Sequence, residues 1–257
     1  MVGNNRNLCT KPSTFPHTKR LVFSLNIKII YPVNPGVYSA LYMIISNIAI
    51  ALCFIPFLLL FSKKMRQVKA YRVIGIYWLF NGLVNFINLD NLPGFRDIAA
   101  QEKLIFYYNL LDTPLVLFLF ACAVSGFHRK VLLFSLLFFI AGELILVGWK
   151  GYTFLSSAMI IGAGLLLILA YSITGLVQYM KKMEHTPFEN SMAFVYAALL
   201  FAYGSFLIIY IFIHVRGNAE GSRDSFMLYY ISILLSAAIT TMGLWSYGLR
   251  PQPRLDR

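Results

Sequence analysis

Seven stretches of this chain, at 36–61, 73–89, 104–126, 131–149, 152–179, 192–215 and 226–249, are nearly free of charge and run about as long as a bilayer is thick. A helix needs roughly 17 to 25 apolar residues to cross a ~30 Å hydrocarbon core. Lipid offers no hydrogen bonds, so only helices and closed barrels span it. A barrel would show ~10-residue alternating segments separated by turns, and this sequence has none. The expectation is an all-α polytopic bundle of seven transmembrane helices over 36–249, with a flexible basic tail at 1–35 and a short tail at 250–257. Composition agrees: 12% of residues are charged, about half the ~25% usual in soluble domains.

The net charge of +12 bears on orientation. Loops after the first, third, fifth and seventh stretches carry 12 Lys and Arg, against 5 in the opposite loops. The positive-inside rule then puts the C-terminus in the cytoplasm and the N-terminus outside. Five cations of the 1–35 tail oppose this, but the short loops lie closer to the helix ends. That tail has no apolar run ending in a small-residue cleavage site, so no signal peptide is expected. No basic stripe interleaved with stacking aromatics is present, which excludes nucleic acid as a partner. The partner is the lipid bilayer, with a bacterial inner membrane the expected location. Cys9, Cys53 and Cys122 are odd in number and scattered, so no disulfide framework or CxxC site is expected.

The informative residues are the polar ones inside apolar stretches. Asp112 lies within 104–126, with Tyr108 one turn earlier and Pro114 just after. An ionised Asp facing lipid costs at least ~2.5 to 3.5 kcal/mol at the bilayer centre, so it should face other helices or a wet cavity. Pro114 interrupts the backbone ladder and frees a carbonyl. Asn81, Asn85 and Asn88 are spaced i, i+4, i+7 and share a helix face; they either bond between helices, at about 0.6 kcal/mol each, or line a pocket. Glu143 is either a rim group reaching the interface or Lys150, or a pocket carboxylate. Tyr196, Tyr203 and Tyr210 are seven apart, with His214 four further on, a pattern of bundle seam or ligand cage. Ser232, Ser236 and Thr240 make one face hydroxylic unless they bond back to their own helix. Ala158, Gly162 and Gly164 suit close helix packing. The run Asp90-Asn91-Leu92-Pro93-Gly94 signals a turn.

Counted from the outer helix ends, Asp112 and Asn81 lie about eight residues in, Glu143 and Ser232 about six, Ser236 about ten and Tyr210 within about five, at ~1.5 Å per residue. The polar groups thus share the outer half, which predicts a pocket open to the outside. Its candidate residues are Asp112, Tyr108, Asn81, Asn85, Glu143, Tyr203, Tyr210, Ser232 and Ser236. No nucleophile–base pair or His-x3-His is present, and Asp112 with Glu143 is the one conceivable dyad, so no catalytic residue and no metal site are expected.

The order Tyr108-Asn109-Leu110-Leu111-Asp112-Thr113-Pro114-Leu115 resembles the third helix of microbial rhodopsins, and seven helices with an outer N-terminus match that layout. The resemblance implies a seven-helix fold. It puts Tyr108 where that family has its counter-ion carboxylate and Ala238 where its retinal lysine stands. The stretch 226–249 contains no lysine, so covalent retinal and light-driven pumping are excluded and no cofactor is expected. The layout is also similar to that of small seven-helix proteins of bacterial membranes. Together these readings predict a receptor or sensor that binds a small-molecule or lipid ligand and works through a signalling subunit or a homo-oligomer. The alternatives are a small proton-coupled transporter using Asp112 and an intramembrane lipid-modifying enzyme.

Overall fold

Because lipid leaves backbone amides no outside partner, the apolar stretches should close their hydrogen bonds locally, and they do. The computed structural model describes residues 37–88, 98–151, 153–212 and 222–249. These form eight helices: α1 Val37–Leu59, α2 Lys63–Gln67, α3 Lys69–Asn88, α4 Ile98–Ala123, α5 Gly126–Lys150, α6 Phe154–Met180, α7 Pro187–Tyr210 and α8 Ser222–Leu249. No strand occurs among the described residues. The expected tails at 1–35 and 250–257, the 90–94 turn and His214 lie outside them.

Six helices, all but α2 and α3, are long and apolar enough to cross a membrane. The short α2 was not expected. It occupies the basic segment after α1 and is joined to α3 through the extended residue Val68. α3 begins with Lys69 and Arg72 and carries three asparagines, which lowers its hydropathy, yet it lies deep in the protein. Its buried residues Tyr71, Ile74, Trp78, Asn81 and Asn85 advance by three or four, and Tyr77 and Val84 beside them widen the same stripe.

Helix ends overrun the apolar stretches. α4 starts at Ile98 rather than 104, and α5 at Gly126 rather than 131, because hydrogen bonding propagates through polar residues that hydropathy scores as loop. α7 starts at Pro187 rather than 192. Thr186 and Glu189 form a reciprocal capping box and Pro187 occupies the first helical position. That signal was legible in Thr186-Pro187-Phe188-Glu189.

The helices close into a ring. α1 packs on α3 and α8, α3 on α4, α4 on α6, α6 on α7, and α7 on α8, while α5 lies outside against α4 and α6. Only Leu132, Phe139 and Glu143 of α5 are buried, and Phe134, Phe138 and Trp149 are 70–79% exposed. An apolar surface of that extent is suited to lipid. The glycines of α6 act as expected of small residues: a Cβ on Gly164 would strike Thr113 of α4, one on Gly162 would meet Tyr210, and one on Gly175 the Tyr196 ring. Bulky groups of α4 and α7 therefore seat against the α6 backbone, drawing α4 towards α6 beside Asp112.

Candidate functional site

Asp112 stands near the middle of the apolar span Lys103–Ala123 of α4, and four helices converge on it. From α7, the Tyr203 hydroxyl donates to Asp112 Oδ2 at 2.7 Å. Behind it, 3.2 Å separates Tyr203 Oη from Tyr77 Oη on α3. A phenol has one proton, and that of Tyr203 is committed to the carboxylate. Tyr77 must therefore be the donor of this bond.

A second chain runs through the asparagines. Tyr229 of α8 donates to Asn85 Oδ1 at 3.2 Å. The amide nitrogen of Asn85 donates to both Oδ1 and the backbone oxygen of Asn81, each at 2.9 Å. Asn81 Nδ2 then donates to Tyr108 Oη at 3.0 Å. Tyr108 stands one turn before Asp112 on α4, within reach of its carboxyl. The first chain ends at the Asp112 carboxyl, and the second ends at the Tyr108 hydroxyl one turn away on α4. Chains of this kind strengthen bond by bond in a low-dielectric interior.

The carboxyl itself is half-buried, but its second oxygen, Oδ1, is closed to water and has no hydrogen-bond partner among the described residues. No lysine, arginine or histidine is among the groups acting on it. Tyr77, Asn81, Asn85 and Tyr203 around it are all buried, and rings pack the shell: Phe206 stacks on Tyr229 at 5.1 Å and Phe80 on Tyr108 at 5.6 Å. The carboxyl is thus held by neutral groups alone.

No protein-family model, curated protein or solved structure matches this chain.

Of the residues expected to form a site, Asp112, Tyr108, Asn81, Asn85 and Tyr203 are brought together. The others make none of the hydrogen bonds of this network. Glu143 is buried, at 3% exposure, so it is neither a rim group nor a partner of Lys150. It sits on the outer helix α5, its Oε1 without a partner, and it is not among the groups acting on Asp112. The two carboxylates do not form a dyad. Tyr210 donates to the Ala158 carbonyl of α6 at 3.0 Å, and Ser232 bonds back to the Leu228 carbonyl at 2.7 Å. Ser236 is fully buried with its hydroxyl unpartnered among the described residues. Tyr196, also on the seam, tilts against Phe120 at 5.3 Å. Asn88 closes α3, its side chain outside the described set.

Sequence reasoning missed Tyr77 and Tyr229. Tyr77 stands one turn before Asn81 on the same face, and Tyr229 stands three residues before Ser232; extending each polar stripe by one turn would have found them. Five of the polar groups expected at a pocket are instead joined here by hydrogen bonds or by reach to one carboxyl. Two cavities lie away from it: a crevice on α8 beside Thr241, Met242 and Trp245, and a space of about 50 Å³ lined by Phe120, His128, Tyr171 and Tyr196. No group of three or more His, Cys, Asp or Glu side chains suited to a metal occurs among the described residues.

Proposed function

We propose that this protein is an integral membrane receptor or sensor in which Asp112 receives the ligand. In this reading α3 spans the bilayer as the seventh helix, the N-terminus is outside and the C-terminus cytoplasmic, in a bacterial inner membrane. The observation that carries it is a donor chain from α3 and α7 that ends on one carboxylate of α4 without a counter-charge, beside a second chain from α8 and α3 that ends one turn away at Tyr108. A ligand that changes the charge at Asp112 alters what every donor behind it is bonded to. The contacts among four helices are then the element whose balance the ligand shifts, and a ligand shifts a balance only by its differential affinity for the two states. The output passes to a partner subunit or a second copy of the chain.

The test is ligand-induced thermal stabilisation of the purified protein, screened across small molecules and lipids and repeated on Asp112→Asn. Compounds that stabilise the wild type and not the variant, without transport in proteoliposomes, support the reading. Stabilisation that is the same in both removes Asp112 from the binding role.

The chain of hydroxyls Tyr77–Tyr203–Asp112 favours one second reading, a proton-coupled transporter, since such a chain is also a path for a proton. Substrate-driven pH change in proteoliposomes that is lost in Asp112→Asn would select it over the receptor.

A further inference from the structure

We propose that Asp112 Oδ1 is a coordination position for a small monovalent cation of the Na⁺ class, taken up without its water. The proposal rests on the reading that Asp112 is the ligand-receiving group, and it names the ligand's chemistry. Size is the first argument. Oδ1 is closed to water and unpartnered among the described residues, and aromatic rings pack the shell around it. An organic ammonium would need space that the shell of rings fills, whereas a bare ion needs an atom's width.

Charge is the second. The Tyr203 hydroxyl presents its proton to the carboxylate, a bond that is stronger to the ionised group. Its charge of one is left without a protein cation. Leaving a bare charge in a low-dielectric interior is unfavourable. A monovalent ion neutralises it, and a divalent one would replace one uncompensated charge with another.

Donor chemistry is the third. Beside the amide nitrogens of Asn81 and Asn85, oxygens gather here: Asp112 Oδ1, the hydroxyls of Tyr108, Tyr203 and Tyr77, and Asn81 Oδ1. Oxygen sets select hard cations. Pro114 lies inside α4 and has no N–H, so the carbonyl of Leu110 loses its helical donor two residues from Asp112. Interrupted helices that release carbonyls near the midplane are a recurring way for membrane proteins to hold Na⁺. The groups that face Asp112 from its neighbours are Tyr77 of α3, Tyr108 of α4 itself and Tyr203 of α7, with Tyr229 of α8 behind Tyr108. All are phenols, neutral at the assay pH by their ordinary pKa of about 10.

The test uses the purified full chain at pH 8, above the ordinary carboxyl range, with NaCl exchanged for choline chloride at fixed ionic strength. Equilibrium binding of radioactive Na⁺ should saturate at about one ion per chain. At a tenfold excess over Kd the folded-to-unfolded ratio should rise about elevenfold, seen as a Tm higher by a few degrees. Asp112→Asn should bind no Na⁺ and lose the shift. Tyr108→Phe, which keeps the ring and removes one oxygen, should weaken Na⁺ severalfold, and it supplies the test if Asp112→Asn does not fold. Absence of Na⁺ binding by the wild type, binding retained in Asp112→Asn, or unchanged affinity in Tyr108→Phe would each overturn the proposal. If Na⁺ has no effect while a small molecule stabilises through Asp112, the cation assignment falls and the receptor reading stands. If neither acts through Asp112, both fall.

Discussion

The direction of the bond between Tyr77 and Tyr203 gives the sharpest test of the network. Tyr203→Phe removes the hydroxyl that donates to Asp112 at 2.7 Å and at the same time accepts from Tyr77. Hydrogen bonds measured inside membrane bundles average about 0.6 kcal/mol and reach about 1.7, and one to a carboxylate belongs at the upper end. The substitution also strands the buried Tyr77 hydroxyl, for about 1 kcal/mol more. The expected loss is therefore about 2.5 kcal/mol. Tyr77→Phe removes only the rear donor, and the Tyr203 proton stays on Asp112, so the loss should be about 0.6 kcal/mol. Combining the two removes the stranded hydroxyl, and the double variant should be no less stable than Tyr203→Phe alone. Reversible unfolding in mixed micelles, run on wild type, both single variants and the double, completes the cycle. Equal losses for the two single variants, or strict additivity in the double, would refute the assigned polarity.

Three further outcomes follow from packing. Gly164→Ala should lower stability by about 1 to 3 kcal/mol, because its Cβ would collide with Thr113 in a filled core; Gly142→Ala, where a Cβ meets nothing within 4 Å, should leave stability unchanged or raise it by up to about 1 kcal/mol. Thermal unfolding of the pair checks the contrast. Glu143→Leu should stabilise the protein by about 1 kcal/mol or more, since it replaces a buried carboxyl lacking a partner on Oε1 by an apolar group of similar length; a loss of stability in the same unfolding assay would show that Glu143 has a favourable role. Thr186→Ala should cost about 1 kcal/mol by opening the capping box of α7, and amide exchange should rise in the first turn of α7 before it rises elsewhere.

The sequence alone determined what kind of solvent this chain folds in. Runs of apolar residues without charge force internal backbone bonding, and from that follow the helices and the need to turn Asp112, Asn81 and Asn85 inward. Local chemistry was legible too, in Pro114, in the small residues of α6 and in the capping box at Thr186. What periodicity cannot express is which face meets which helix, because every helix of a bundle satisfies its own backbone and each hydrophobic stripe accepts many neighbours. Tertiary structure alone put α5 outside the ring, and so separated Glu143 from Asp112. It also brought Tyr203 from 91 positions away in the chain onto Asp112 and Tyr229 from 144 positions away onto Asn85. The direction of the donor chains was decided there as well, since a hydroxyl's single proton is assigned only once its neighbours in space are fixed.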